Sequence, residues 1–133
     1  MDTGAVNVDH RHDVPYMAGY SIDGKTIYID WMLPDSYMGM DILPTLILHE
    51  MVEKSLIDTQ DMDYSEAHHI ATSAEEGEVR RQYGESGLEH YRAFFRHWYA
   101  VIGQRRRYDN IPGDLDLTPY RDDRVRLERM GLK

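Results

Sequence analysis

The chain contains no cysteine among its 133 residues. Disulfides and thiolate metal sites are therefore excluded, and any metal must be held by His, Asp or Glu. Proline (5) and phenylalanine (2) are sparse, and no internal repeat, low-complexity segment or long linker divides the chain. No apolar run approaches the ~20 residues that a membrane-spanning helix needs. No basic start followed by an apolar stretch and a small-residue cleavage site is present. These absences point to a cytoplasmic protein with no membrane partner. Bases are scarce early on: residues 1–79 carry 16 acids and three bases (Arg11, Lys25, Lys54), net −13. Residues 80–133 carry 12 bases and 8 acids, net +4. The overall charge of −9 argues against nucleic acid as a partner, since phosphate binding needs a basic footprint. The one dense basic run, Arg105-Arg106-Arg107, reads as a helix C-terminus complementing the dipole.

What is present is a charged fraction of 29% beside 41% apolar residues, enough for one folded core. Residues 1–15 read as an extended arm ending at Pro15, and residues 16–31 as a hairpin turning at Asp23-Gly24. In its second strand Ile27, Ile29 and Trp31 alternate with Thr26, Tyr28 and Asp30, so one face should be apolar. Helices are expected from about Ile42 to Ile57, capped by Asp41 with Pro44 in the first turn, and from about Ser65 to Tyr83, closing at Gly84. A third should run from about Ser86 to Arg107 on the stripe Leu88, Tyr91, Phe95, Trp98, Ile102, and a short fourth from about Arg121 to Met130. The fold class expected is α+β, an N-terminal β-hairpin packed on a mainly helical domain of three to four helices. A single domain should span residues 1–133, with 112–133 as a C-terminal tail.

The chemistry concentrates in Leu48-His49-Glu50-Met51-Val52-Glu53-Lys54. At helical spacing His49, Glu50 and Glu53 fall in the stripe with Leu46, Leu56 and Ile57, the side that should face the core. A surface helix would turn them outward. Two carboxylates and an imidazole are costly to bury unless a cation or hydrogen bonds compensate. His49 and Glu53, four apart, share a face and can grip one metal, with Glu50 close enough to reach an activated water. The bland alternative is a hydrogen-bonded His–Glu pair in an ordinary amphipathic helix.

The second helix supplies the missing ligand. Ala67, Ile70, Ala71 and Ala74 should form its core face, with His68 and Glu75 at the rim and His69 turned away. The alanines are small enough to let the two helices approach. Other histidines carry less: His90 and His97 are seven apart, too far for one metal, while His10 and His12 lie on the arm. Tyr28 and Tyr120 could each point a phenol at a substrate oxyanion. A carboxylate-bridged di-iron bundle built on Glu66-x-x-His69 would need a second Glu-x-x-His on another helix, and the sequence has none.

Three segments together, Ile27-Tyr-Ile-Asp30, Leu48-His-Glu-x-x-Glu53 and Ala67-His-x-x-Ala-Thr-x-x-Glu75, carry a resemblance to the zincin metallopeptidases, and most closely to small bacterial and phage-type proteins with that pattern. The likeness covers roughly residues 16–80. It implies that His49 is a zinc ligand and Glu50 the general base, with His68 a ligand from the next helix and Glu75 a fourth ligand or an outer partner. The chain departs from the pattern at Glu53, which stands where the second histidine of the helix is usual. The resulting expectation is a Zn²⁺-dependent hydrolase (another divalent metal being possible), a minimal metallopeptidase acting on a peptide or protein. The alternative is a non-catalytic protein in which the metal pins two helices together.

Overall fold

The computed structural model describes residues 6–104, 108–117 and 119. It is an α+β fold with an open sheet. The elements, in order, are β1 (Asn7–His12), a 3-10 turn (Pro15–Met17), β2 (Ala18–Tyr20), β3 (Thr26–Asp30), β4 (Ser36–Tyr37), β5 (Met40–Asp41), α1 (Leu43–Gln60) and α2 (Tyr64–Gly103). They fall into two compact units, residues 34–97 and residues 6–33 with 98–104 and 108–117.

Two features correct the expected architecture. First, the hairpin is not a free-standing pair. β2 and β3 do run antiparallel, with Ala18 opposite Ile29 and Tyr20 opposite Ile27, and Gly24 (φ 73°) makes the turn. But β1, read as part of the arm, pairs in parallel on the other side of β3, so the sheet order is β1-β3-β2. β3 is central and paired on both edges, and both of its faces are buried. Ile27, Tyr28, Ile29 and Asp30 are all buried, while Trp31, expected on the apolar face, is 56% exposed. Asp30 tolerates burial because its carboxylate accepts the backbone N–H of Val14 and of Met32, each at 2.9 Å. Tyr28 packs with Val14, Tyr108 and Leu115 and donates its hydroxyl to Asp114.

Second, there are two helices among the described residues, not three or four. Gly84 leaves helical geometry (φ 74°, ψ −176°), a region essentially closed to other residues. Helix resumes with no loop between, so Tyr64–Gly103 is one element of 40 residues made of two helical stretches that meet across a kink at Gly84, the residue at which the sequence closes the first of them. The expected fourth helix and Tyr120 lie outside the described residues.

The unit of residues 34–97 holds the site. α1 starts at Leu43 with Pro44 in its first turn, after Ile42, which makes no side-chain cap bond. Asp41, expected to cap it, belongs instead to β5. The buried residues of α1 are Thr45, Leu46, His49, Glu50, Met51, Glu53 and Lys54. Five of these seven are polar or ionisable, so the inward face of α1 cannot be a simple hydrophobic stripe. On α2, before the bend, the buried line is Ala67, Ala71, Glu75 and Val79. That line is turned slightly from the expected one. It leaves Ile70 38% exposed and swings His68 and Glu75 towards α1.

A candidate metal centre between two helices

α1 presents His49 and Glu53 one turn apart, and both point inward. α2 begins four residues after α1 ends, so its first turn returns beside them and brings His68 within reach. His49 Nε2 lies 3.1 Å from Glu53 Oε2, and His68 Nδ1 lies 3.0 Å from the same oxygen. The donor atoms of His49, Glu53 and His68 all fall within 4.8 Å of one another, the one such cluster among the described residues. The two imidazole rings meet edge to face at 4.8 Å between centroids. Two imidazole nitrogens and a carboxylate oxygen form a donor set that suits a divalent transition metal, zinc and non-haem iron among them.

Burial differs sharply across the cluster. Glu53 is 2% exposed and His49 6%, whereas the His68 side chain is 49% exposed. The centre is closed on its α1 side and open to solvent beside His68. Tyr64, one turn before His68, places its hydroxyl 3.4 Å from His68 Nδ1.

Glu75 stands behind His49, its Oε1 2.8 Å from His49 Nδ1. Its other oxygen accepts the hydroxyl of Tyr91, which lies 2.8 Å from Thr45 Oγ1. Both oxygens of Glu75 are thus engaged away from the three converging donors. Burial opposes a charge on His49, but hydrogen bonds to Glu53 and Glu75 and the nearby Glu50 outweigh it and push the imidazole up to about 10. Burial also pushes the Glu50 carboxyl up. His49 pulls the other way, and Glu53 and Glu75 add to the rise. The Tyr91 phenol is driven far above its usual range by burial and by the charge of Glu75, so it keeps its proton.

Glu50 Oε2 is the sole buried side-chain polar atom among the described residues with no hydrogen-bond partner. A buried, unsatisfied carboxylate oxygen costs about 1–3 kcal/mol or more, and in natural proteins it calls for an explanation.

Of the residues singled out in the sequence, His49, Glu53 and His68 come together directly, and Glu75 joins through His49. Glu50 is buried one residue from the cluster. Glu66, His69, His90 and His97 are exposed. His10 and His12 lie in β1, His10 Nε2 against Leu33 O at 2.7 Å and His12 Nδ1 against Asp9 Oδ1 at 2.8 Å. Three residues escaped the sequence reading: Thr45, Tyr64 and Tyr91. Thr45 precedes His49 by one turn and Tyr64 precedes His68 by one turn, so helical spacing alone could have found both. Tyr91 could not have been found that way, because it lies beyond the Gly84 bend and sits in an aromatic stripe that reads as core.

No family model, curated protein or solved structure matches the chain. Among the described residues, no helix is long and apolar enough to cross a membrane.

Proposed function

We propose that residues 34–97 form a hydrolytic metal centre in which His49, Glu53 and His68 hold a divalent cation of the zinc class. The observation that carries this reading is the convergence of three donors from two helices on one point. When bound, such a cation polarises a carbonyl group and makes its water a nucleophile near neutral pH. Glu50 is the proton acceptor for the attacking water. Its buried carboxyl, with one oxygen unpartnered, is built to take up a proton and return it to the leaving amine. The exposed side of His68 is the route by which a carbonyl substrate, a peptide bond foremost, would enter. A metal that only pins α1 to α2 would call for a fourth protein ligand, and Glu75, the residue nearest that role, has both oxygens bonded elsewhere.

The test is metal content paired with hydrolysis. Purified protein should carry or take up one equivalent of zinc, measured by elemental analysis, and should cleave members of a panel of quenched fluorescent peptides. Glu50→Gln should keep the metal and lose cleavage by 100-fold or more, within the usual range for a general base (~10²–10⁴). Protein that takes up no divalent metal would overturn the reading. Loss of metal in Glu50→Gln would move Glu50 from proton transfer to coordination.

A further inference from the structure

The hydrogen bonds behind His49 form a chain that reaches well past the carboxylate it touches: His49 Nδ1 to Glu75, Glu75 to Tyr91, and Tyr91 to Thr45. All four side chains are buried, Thr45 and Tyr91 each only 2% exposed. The direction of every bond can be worked out from the carboxylate. An ionised carboxylate only accepts, so the Tyr91 hydroxyl must donate to Glu75 and His49 must present Nδ1–H to it. A phenol has one proton, and Tyr91 has spent it on Glu75. At the 2.8 Å contact Thr45 must therefore be the donor and Tyr91 the acceptor. Thr45 Oγ1 also donates to Ile42 O at 3.1 Å, a carbonyl whose second lone pair takes the backbone N–H of Leu46 at 3.2 Å, so the single threonine proton is shared between that carbonyl and the phenol.

We infer that Tyr91 and Thr45 are positioning residues of the metal centre: acting through Glu75, they hold His49 in the Nδ1–H form with its Nε2 lone pair aimed at Glu53 and His68. This inference rests on the metal reading above and extends it. A neutral imidazole carries one N–H, and ligation needs the other nitrogen bare. Glu75 fixes which nitrogen that is, Tyr91 stops the Glu75 carboxylate from swinging, and Thr45 holds the phenol in line. The Nε2 of His49 faces Glu53 Oε2 at 3.1 Å, a spot that either a proton or a cation can bridge. His68 has no such backing. Its side chain is half exposed, and Tyr64 stands 3.4 Å from Nδ1, the nitrogen that faces Glu53. The centre thus has one ligand locked from behind and one that adjusts. An outer partner of a ligating histidine typically supports metal affinity by about 10–100-fold.

The experiment is a double-mutant cycle on zinc affinity, read by competition with a chromophoric chelator, using Tyr91→Phe, Thr45→Val and the pair together. Both changes keep shape, and Tyr91→Phe removes only the hydroxyl, leaving the ring to pack against Phe95 (4.7 Å between centroids). Tyr91→Phe should weaken zinc binding about 10-fold, and Thr45→Val several-fold. The pair should be no worse than Tyr91→Phe alone, because Thr45 acts only through the phenol. Residues that merely support the fold would give additive losses. As a second readout, ring nitrogen NMR shifts of the zinc-loaded protein should show His49 as the Nδ1–H tautomer, and Tyr91→Phe should broaden or shift that signal while leaving the His68 signals in place. Unchanged zinc affinity in Tyr91→Phe, additive losses in the cycle, or an Nε2–H His49 in the loaded protein would each overturn the inference while leaving the metal reading intact. Failure of the unaltered protein to bind zinc would instead bring down the metal reading, and this inference with it.

Discussion

His68 Nδ1 lies 3.0 Å from Glu53 Oε2 and ties the first turns of α2 to the third turn of α1. The bond joins a nearly fully buried carboxylate to a half-exposed imidazole. It makes His68 the accessible member of the cluster, and its neighbour His69 faces solvent.

Adjacent histidines on a helix point about 100° apart and cannot share a role. On the proposed reading, His68→Ala should abolish zinc uptake and with it any stability gained on adding zinc. His69→Ala should change stability by no more than about 0.5 kcal/mol. Zinc titration followed by thermal melting of each variant checks both. Metal loss in His69→Ala alone would assign the ligand to the wrong face of α2.

The pH dependence should change sign with metal. In the metal-free protein His49 is raised to about 10 from an unfolded value of about 6.5. Its contribution is complete below that unfolded value and is lost as pH climbs through the folded one. The raised Glu50 carboxyl acts in the same direction, since it favours the fold while protonated and disfavours it once ionised. Chelator-treated protein should therefore melt at progressively lower temperature as pH rises from about 6.5 to 10. With saturating zinc the increment due to metal should shrink as pH falls from about 7 to 5, because protons compete for His49 and His68. Melting curves across pH with chelator and with zinc give both slopes. Identical curves would count against a bound metal.

Two glycines on α2 should respond in opposite ways. Gly84 sits at φ 74°, ψ −176°, and a Cβ there would meet nothing within 4 Å. The strain of Gly84→Ala is then purely in the backbone, and the loss should be about 1–3 kcal/mol. Gly77 has equally open surroundings within the helix and no positive φ, so Gly77→Ala should stabilise by about 0.4–1 kcal/mol. Urea denaturation of the two variants measures the pair.

Asp30 should be more important to stability than its neighbours in β3 that contribute only apolar area. Its two oxygens receive the N–H groups of Val14 and Met32. Asp30→Ala would leave both donors without this partner, at about 1–3 kcal/mol for each one left unsatisfied. Denaturation midpoints of Asp30→Ala and Asp30→Asn give the test, with Asn, which keeps one acceptor oxygen, expected to recover part of the loss.

The sequence by itself determined the inward-facing group on α1. The 3.6-residue period places His49, Glu50 and Glu53 on one side whatever the helix packs against, and the cost of burying them unaided already called for a cation or hydrogen bonds. Pairing of β2 with β3 was equally local, since Asp23-Gly24 turns the chain within a single tight turn. Relations between elements were not legible in this way. The rotation of α2 about its axis, which turns Glu75 to His49 Nδ1, buries Ala67 and Ala71 and leaves Ile70 exposed, is encoded by no spacing. Parallel pairing of β1 with β3 joins segments separated by a strand and a turn, and β1 has no alternating pattern to announce it. At Gly84 two helical stretches of α2 meet across a kink with no loop between them. Only that continuation brings Tyr91 back to Glu75, sixteen residues away, and closes the hydrogen-bond chain behind the centre. Local geometry is set by backbone stereochemistry, which a sequence carries residue by residue. Contacts across elements are set by how whole faces fit, and those form only in the folded chain.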